Sequence, residues 1–362
     1  MTDVPESIQL YCNAAKEHNA SDLILHEGQQ PIVRITGSMT TLEAPPITLD
    51  ELREFRLHCR VPEDAVDYDT SFISGAGIRF RVNFHRQLGS EAAVLRRISS
   101  KIPDLEEIGV PTEIVKKWAL RNSGLVIVAG PTGAAKSTTM AAILEWINMN
   151  HERHVVTIED PVEYIFQRKK ALFTQREVGQ DTSSFAEGLR RSLRQAPDII
   201  FVGEIRDAET ASVVLQAAET GHLVFTTLHA SDTGEVMERL SSLFPKEERS
   251  GHLQILASQI LGVLCQRLLP SVQGGGSMVL ACEYLTNIGL TRRCILSEDL
   301  PSLRGYLSTA NVKESCDFLR SYASLVTQGV LSEEVALLSA SNPSELRRRL
   351  RGISSNYANE QD

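Results

Sequence analysis

One segment of this sequence carries the residue types that hold a phosphate group. The segment reads Gly130-Pro131-Thr132-Gly133-Ala134-Ala135-Lys136-Ser137-Thr138. In this pattern backbone N–H groups face an anion, the Lys136 ammonium reaches the outer phosphates, and the Ser137 hydroxyl can bind Mg²⁺. A lysine at a helix start opposes the helix dipole unless an anion is present. The segment therefore predicts a phosphate-binding loop for ATP and Mg²⁺.

Ala135 departs from the usual pattern of such loops, which has glycine directly before the lysine. If the backbone φ angle at this position must be positive, alanine costs about 1 kcal/mol and its methyl group crowds the phosphates. We therefore expect weaker or slower ATP use if the loop requires that conformation.

Carboxylates follow two of the apolar segments that we predict to be strands. Glu204 comes after Ile199–Val202, and Glu163 belongs to an acidic run after residues 155–158. Ligands of open parallel sheets gather at the carboxyl ends of the strands. A carboxylate there can hold Mg²⁺ through water and orient the attacking water, as phosphoryl transfer requires. Glu204 is therefore the candidate catalytic residue, and Glu163 is preferred among the three carboxylates of its run to face the metal or the water.

Two histidines bracket a third predicted strand, Leu223–Leu228. At about 3.3 Å per residue, His222 and His229 lie near opposite ends of this strand and cannot both reach one phosphate along it. His229, at the carboxyl end, is the better candidate for a γ-phosphate sensor. His222 either acts between subunits or caps the strand, and both interpretations stay open.

These residues need a parallel sheet to bring them to one edge, and the sequence predicts one. Short continuous apolar runs alternate with helical segments, which is typical of strands buried on both faces of a parallel sheet. A helix is expected over 139–149, directly after the phosphate loop, and the chain after the glycine turn at 274–276 is expected to be mostly helical. The fold class is α/β. The predicted strands are residues 125–129, 155–158, 199–202 and 223–227.

The first hundred or so residues follow a different pattern, which indicates a smaller α+β unit with a mostly antiparallel sheet. Residues 77–84 alternate apolar and polar side chains, as a half-buried strand does. Thr48 and Glu51 have the spacing of a helical capping box. The predicted organisation is a domain over 1–100, a linker over 101–111, a second domain over 112–353 and a flexible tail over 354–362.

Composition limits the class of protein. The 362 residues include 46 acidic and 37 basic side chains, and the net charge of -9 disfavours a nucleic-acid-binding protein. No run approaches the roughly 18 consecutive apolar residues of a membrane-spanning helix, and the first residues lack the basic charge of a signal peptide. We therefore expect a cytoplasmic protein without membrane insertion. Six cysteines without a Cys-x-x-Cys pair indicate buried, reduced thiols and no zinc site.

Four ordered segments make the chain similar to the secretion ATPase superfamily and, within it, to the retraction ATPases of type IV pili, the PilT and PilU group. The similarity covers nearly the whole chain, and four segments in this order are more specific than any one of them. The segments are the loop at 130–137, an acidic box at 158–164, a Walker B segment at 197–207 and a histidine box at 218–229.

The resemblance implies a PAS-like N-terminal domain followed by a RecA-like ATPase domain, assembled as a homohexameric ring with ATP between subunits. It also implies that arginines of the N-terminal domain move onto the phosphates, and by position the candidates are Arg81 and Arg96. Charge supplied in this way makes hydrolysis depend on ring closure. The implied function is a motor for pilus retraction and twitching motility at the cytoplasmic side of the inner-membrane pilus base. A platform protein of that membrane and a paralogous ATPase ring are the implied partners.

Some positions depart from the family pattern. Ala135 replaces a glycine, Ala196 stands where the family often has an acid, and residues 290–298 occupy the place of an unrecognisable Ala-Ile-Arg-Asn-Leu-Ile-Arg signature. An alternative function is therefore a weakly active or non-catalytic accessory ring subunit of the PilU type that regulates an active paralogue. Extension ATPases of the superfamily carry a four-cysteine zinc module, which this chain lacks. A RecA-like helicase is disfavoured because no aromatic and basic strand-binding stretch is present.

Overall fold

The computed structural model of the chain describes residues 4–35, 37–98, 101–308 and 314–352. The chain divides into two units, Met1–Lys101 with Pro161–Ile165 and Ile102–Asp160 with Phe166–Asp362. Each unit has its own sheet and its own hydrophobic core. The domain limits and the linker inferred from the sequence stay predictions, and the predicted tail over 354–362 lies outside the described residues.

The first unit consists of two helices and an antiparallel sheet. Its elements are α1 (Glu6–Glu17), β1 (Asp22–His26), β2 (Ile32–Ile35), β3 (Ser38–Thr41), α2 (Leu49–His58), β4 (Tyr68–Ile73), β5 (Arg79–Gln87) and β6 (Ser90–Arg97). The strand order is β3-β2-β1-β6-β5-β4, and every pairing between these strands is antiparallel. Phe55, Phe80 and Phe84 are fully buried in its core. The predicted antiparallel sheet is confirmed, although β3 was not predicted.

Helix α2 begins as its sequence indicates. The Thr48 Oγ1 accepts a hydrogen bond from the Glu51 N–H at 3.2 Å, and the Glu51 carboxylate accepts one from the Thr48 N–H at 2.8 Å. Two N–H groups that the helix leaves without partners are thereby satisfied. The predicted capping box is confirmed.

The second unit contains the larger sheet and most of the helices. Its elements are α3 (Thr112–Ala119), β7 (Gly124–Ala129), α4 (Lys136–Asn150), β8 (His154–Glu159), β9 (Leu172–Glu177), α5 (Phe185–Ser192), β10 (Ile199–Val202), α6 (Ala208–Glu219), β11 (Leu223–Leu228), α7 (Thr233–Leu243), α8 (Lys246–Gln259), β12 (Ile260–Pro270), β13 (Met278–Thr286), α9 (Gly289–Leu296), α10 (Leu300–Ser308), β14 (Ser315–Cys316), α11 (Phe318–Thr327), α12 (Glu333–Ser339) and α13 (Pro343–Leu350).

The larger sheet is parallel in its centre and antiparallel at one edge. Its order is β14-β13-β12-β7-β11-β10-β8-β9, in which β12 to β9 pair in parallel and β13 and β14 pair antiparallel. Strands β7, β10 and β11 are fully buried, so the predicted α/β fold class is confirmed. The prediction of a mostly helical chain after residue 276 is wrong for β13. Periodicity cannot separate a short apolar helix from a strand, and the pairing with β12 decides the conformation.

All six cysteines are free thiols, four of them buried and two half-buried. Burial raises the pKa of both Cys12 and Cys59 to about 12, and that of Cys316 to about 11. These thiols are therefore protonated near neutral pH and weakly nucleophilic. Within the described part of the chain, no helix is long and apolar enough to cross a membrane.

Gly262 of β12 provides the space that Trp118 of α3 occupies. A Cβ on Gly262 would lie 2.2 Å from two carbon atoms of the Trp118 ring. The ring is 3% exposed, and its Nε1–H donates to Thr286 Oγ1 at 3.3 Å. Helix α3 therefore packs on β12 through the Trp118 ring, which fills the space that a side chain at Gly262 would occupy.

Replacing Gly262 by alanine is expected to lower the free energy of unfolding by about 2–3 kcal/mol, because the methyl group forces the Trp118 ring out of its site. The measurement is urea-induced unfolding of the purified chain. Gly251→Ala is the matched control: Gly251 lies in α8 with nothing within 4 Å of its Cβ position. Alanine there should instead raise stability by about 1 kcal/mol, and a loss of stability in both variants would contradict the packing argument.

Candidate functional site

The carboxyl ends of neighbouring parallel strands form the edge at which predicted site residues meet. Ala129, the last residue of β7, lies opposite Leu228 at the end of β11. Strand β10 pairs in parallel with β11 on its other side. The chain leaves all three strands at the same edge of the sheet. The residues that follow them are Gly130, Gly203 and His229.

The loop after β7 has no room for a side chain at its first residue. A Cβ on Gly130 would lie 2.7 Å from the Gln266 carbonyl oxygen and 2.8 Å from the Ala134 Cβ. Helix α4 begins at Lys136, whose Nζ donates to the carbonyl oxygens of Gly130 at 2.8 Å and Pro131 at 3.1 Å. The lysine is thus held at the mouth of the loop, beside the helix N-terminus. The predicted nucleotide residues, Gly130 to Thr138, all lie in this loop and the first turn of α4.

Ala135 has the left-handed conformation that makes its departure from glycine costly. Its φ is 63° and its ψ is 29°, at the N-cap position of α4. For an alanine this conformation costs about 1–2 kcal/mol, because Cβ approaches the following carbonyl oxygen. The sequence predicted a cost for alanine only if φ at this position is positive, and it is positive.

Glu204 is held between an arginine and a histidine. The Arg206 Nε donates to Glu204 Oε1 at 2.6 Å, and His229 Nε2 lies 3.4 Å from Glu204 Oε2. Arg206 also lies 3.3 Å from the Asp160 carboxylate and 5.8 Å from the centre of the Phe185 ring. The Glu204 side chain is 18% exposed. Its carboxylate is therefore oriented at the sheet edge and still accessible there.

His229 lies within the electrostatic reach of the phosphate loop. Burial lowers the pKa of His229, the Lys136 ammonium lowers it further, and Glu204 acts in the opposite direction. The imidazole is therefore neutral near pH 7, with one N–H donor and one acceptor nitrogen. His229 therefore interacts electrostatically with both Glu204 and Lys136, and its role as a γ-phosphate sensor stays a prediction.

The acidic run that begins with the last residue of β8 contributes two further carboxylates to this edge. Glu159 ends β8 and is 7% exposed. A Cβ on Gly203 would lie 3.5 Å from the Glu159 Cα, so the two backbones are in contact where the Glu204 turn begins. Asp160 reaches the same turn through Arg206. Both residues belong to the acidic run identified in the sequence, in which Glu163 was the preferred candidate.

Glu163, the preferred carboxylate of that run, lies beyond the end of β8. It is half-buried and belongs to the segment Pro161–Ile165, which groups with the first unit. Its assignment as a catalytic or Mg²⁺-binding residue stays a prediction.

His222 lies at the other end of β11 from His229. Its Nδ1 is 3.1 Å from the Ala217 carbonyl oxygen, and its own carbonyl oxygen accepts a hydrogen bond from the Gly124 N–H at 3.1 Å. The first contact lies in the turn between α6 and β11, and the second joins the residue before β11 to the start of β7. The strand-cap interpretation describes these contacts, and a role between subunits stays a prediction.

Arg81 and Arg96 lie directly opposite each other on β5 and β6 of the first unit. The Arg96 Nε donates to Asp22 Oδ1 at 2.8 Å, and Arg34 lies 3.5 Å from the other carboxylate oxygen. Burial alone would raise the pKa of Asp22, but the hydrogen bonds from Arg96 and Ser21 hold it below its ordinary value. The Arg96 side chain is 72% exposed. Arg96 is therefore anchored by Asp22 and open to solvent.

Two residues at the sheet edge were not singled out from the sequence. Thr227 Oγ1 donates to the Gly203 carbonyl oxygen at 2.6 Å and fixes the backbone just before Glu204. Arg206 pairs with two carboxylates. The available signal was an arginine two residues after the candidate glutamate, a spacing that puts both side chains on the same side of an extended chain.

The parallel sheet and the residues at its edge define a RecA-like ATPase domain, preceded in the chain by a smaller α+β unit. The chain belongs to the family described as type II/IV secretion system protein, whose model matches residues 18–298.

Similar sequences and solved structures specify the group within the family. The chain is 36% identical to the type IV pilus retraction ATPase PilT of Pseudomonas aeruginosa, over 92% of this chain and 98% of that protein. It is also 36% identical to the type IV pilus ATPase PilU of the same organism, over 91% and 88%. A crystal structure of the pilus retraction motor PilT with bound ADP matches with a TM-score of 0.84 at 37% identity, covering 94% of this chain and 99% of that one. The ATPase DotB of Legionella pneumophila matches with a TM-score of 0.82 at 29% identity, over 93% and 97%. The resemblance to retraction ATPases is confirmed.

Replacing Ala135 by glycine is expected to raise the free energy of unfolding by about 1 kcal/mol, because glycine adopts positive φ without a Cβ clash. Urea-induced unfolding of the two proteins checks this value. Ala134→Gly is the control, since Ala134 is 2% exposed and does not have a positive φ. Glycine there should lower stability by a similar amount. A loss of stability on Ala135→Gly would show that the alanine is not strained.

The pKa of His229 is expected to move in opposite directions in two variants. Lys136→Ala removes a cation and should raise it, whereas Glu204→Gln removes an anion and should lower it further. Titration of the histidine ring signals by NMR, with His229→Asn to assign the signal, checks both shifts. Because the folded pKa lies below the unfolded one, the stability gained from neutral His229 is complete above about pH 6.5 and declines as the pH falls. An unchanged pKa of His229 in both variants would show that neither Lys136 nor Glu204 acts on its ring.

Proposed function

We propose that this chain is the ATP-hydrolysing subunit of a hexameric motor that powers type IV pilus retraction and twitching motility. The observation that carries the proposal is the cluster of Lys136, Glu204 and His229 at one sheet edge. It occurs in a chain that is 36% identical to a pilus retraction ATPase over 92% of its length. The implied localisation is the cytoplasmic side of the inner-membrane pilus base.

The residues of the loop fit ATP with Mg²⁺. The N–H groups of the loop and of the α4 N-terminus offer donors to an anion, and Lys136 adds a positive charge beside them. The Ser137 hydroxyl and the Glu204 carboxylate are oxygen ligands of the kind Mg²⁺ prefers, and Glu163 is the further candidate. When bound, Mg²⁺ would neutralise charge on the phosphates. Lys136 already donates to loop carbonyls, which phosphate oxygens can replace as acceptors.

Glu204 is the proposed residue that orients the attacking water. Arg206 donates a hydrogen bond to one oxygen of the Glu204 carboxylate, and His229 lies beside the other oxygen. A water held by the second oxygen would be placed next to the His229 ring, which can report on the γ-phosphate. Thr227 fixes the backbone that carries Glu204. Positioning of this kind is the main contribution of a protein to phosphoryl transfer.

The ring supplies the remaining charge in our proposal. Arg81 and Arg96 are the candidates for arginines provided in trans to the phosphates, and Arg96 would exchange its pairing with Asp22 for a phosphate oxygen. Hydrolysis would then depend on how neighbouring subunits are arranged. An inner-membrane platform protein is the proposed recipient of the motion, and a ring of a PilU-like paralogue is a further proposed partner.

A second candidate function follows from Ala135. Its left-handed conformation stores strain next to Lys136, which would suit a weakly active accessory ring subunit that regulates a paralogue. The two functions differ in whether turnover by this chain is needed for motility.

Cells that lack the gene are expected to carry excess surface pili and to lose twitching motility, because assembly continues without retraction. Complementation with the Glu204→Gln chain should leave both defects in place. Turnover of the purified Glu204→Gln hexamer should fall by about 10²–10⁴-fold, since the water is no longer oriented by a carboxylate. Electron microscopy of surface pili, a twitching assay and a phosphate-release assay measure the three effects.

Glu152→Gln is the control for complementation, because Glu152 is an exposed carboxylate just before β8. It should restore motility in full. Bald cells after gene deletion would assign the chain to pilus assembly. Full motility with Glu204→Gln would assign it to the accessory role.

A further inference from the structure

Gln266 is a buried polar residue directly behind the phosphate loop, and the proposed mechanism does not use it. It follows Cys265, which lies opposite Ala129 where β7 ends. Its side chain is 0% exposed. Its carbonyl oxygen would lie 2.7 Å from a Cβ on Gly130. The backbone of Gln266 therefore packs against the first residue of the loop.

The Gln266 amide links β12 to the helix that the loop precedes. Its Nε2 donates to Thr139 Oγ1 at 2.7 Å, and the threonine is 1% exposed. Thr139 lies in the first turn of α4, where its N–H donates to the Ala135 carbonyl oxygen at 3.0 Å. The hydrogen bond thus fixes the distance between β12 and the turn that begins with Lys136.

The other polar atom of this amide has no partner. Gln266 Oε1 is buried and accepts no hydrogen bond from any described residue. A buried acceptor left without a donor opposes folding, whereas an apolar side chain of the same shape would fill the space without that penalty. Folding stability alone therefore does not account for an amide at this position.

We propose that Gln266 is a positioning residue for ATP hydrolysis, which acts by holding the first turn of α4 against β12 through Thr139. Lys136 and Ser137 lie in that turn, so the amide sets where they stand relative to the phosphates. A displacement of about 1 Å in such groups can reduce a rate by about 10²-fold. This inference rests on the proposed nucleotide site.

Gln266→Leu is the first test, because it removes both polar atoms of the amide, Oε1 and Nε2, and keeps a side chain of similar volume. We expect kcat to fall by about 10-fold or more, with the melting temperature unchanged or about 1–3 °C higher. Thr139→Val should reproduce the loss of kcat, and the double variant should be no slower than the slower single one, because both remove the same bond. Thr139→Ser keeps the hydroxyl and should retain kcat. Phosphate release at varied ATP concentration and thermal unfolding give all of these values.

Thr226→Val is the matched control for removal of a buried, unpaired group. Thr226 lies on β11 in the same sheet, is 0% exposed, and its Oγ1 has no partner among the described residues. Valine should raise the melting temperature without changing kcat. A Gln266→Leu chain that melts clearly lower than the parent, or a Thr139→Val chain with full kcat, would overturn the positioning role.

Lys136→Ala separates failure of this inference from failure of the proposed site. If Lys136→Ala hydrolyses ATP at the normal rate, the nucleotide site itself is wrong, and the positioning role falls with it. If Lys136→Ala is inactive and Gln266→Leu is fully active, the site stands and the role of Gln266 is overturned.

Discussion

The contact between Gly130 and strand β12 is the constraint on which the candidate site depends. Strand β7 lies between β11 and β12, so the chain that leaves it must turn within a space bounded by both neighbours. A Cβ on Gly130 would approach the Gln266 carbonyl oxygen to 2.7 Å, and any larger residue would move the loop by a few tenths of an ångström at least. Because Lys136 is anchored to the Gly130 carbonyl oxygen at 2.8 Å, such a shift would be passed to the lysine directly.

The charged groups at this edge of the sheet interact with different partners. Arg206 lies between Glu204 and Asp160, and its hydrogen bond with Glu204 raises the pKa of the arginine. Glu204 is therefore neutralised locally, while Lys136 is satisfied by loop carbonyls. His229 stays neutral between the two. Lys136 and Arg206 therefore place positive charge at this edge of the sheet in a chain whose net charge is -9.

Local patterns in the sequence were sufficient for the central strands β7, β8, β10 and β11, whereas β9 and β12 of the same sheet were not predicted. Runs buried on both faces identified the central strands, and strand ends placed Glu204 and His229 at one edge. The pattern failed at β13, because its apolar residues fit either conformation and only the pairing with β12 decides between them. It also could not reveal the bond between Gln266 and Thr139, which are 127 positions apart. Contacts of that kind depend on sheet order, and strand order does not follow from spacing along the chain.

The same sheet order gives β12 contacts on both of its faces, since successive side chains of a strand point in opposite directions. Gln266 faces α4. Arg267 donates to the carbonyl oxygens of Ser231 at 3.3 Å and Ser339 at 3.1 Å, and to the Tyr322 hydroxyl at 3.1 Å. Ser231 follows His229 by two residues, whereas Tyr322 and Ser339 belong to α11 and α12. One strand therefore touches the turn that carries the lysine, the loop that carries the histidine and the C-terminal helices. Because close-packed interiors transmit strain, a displacement of β12 would act on both sides of the candidate site at once.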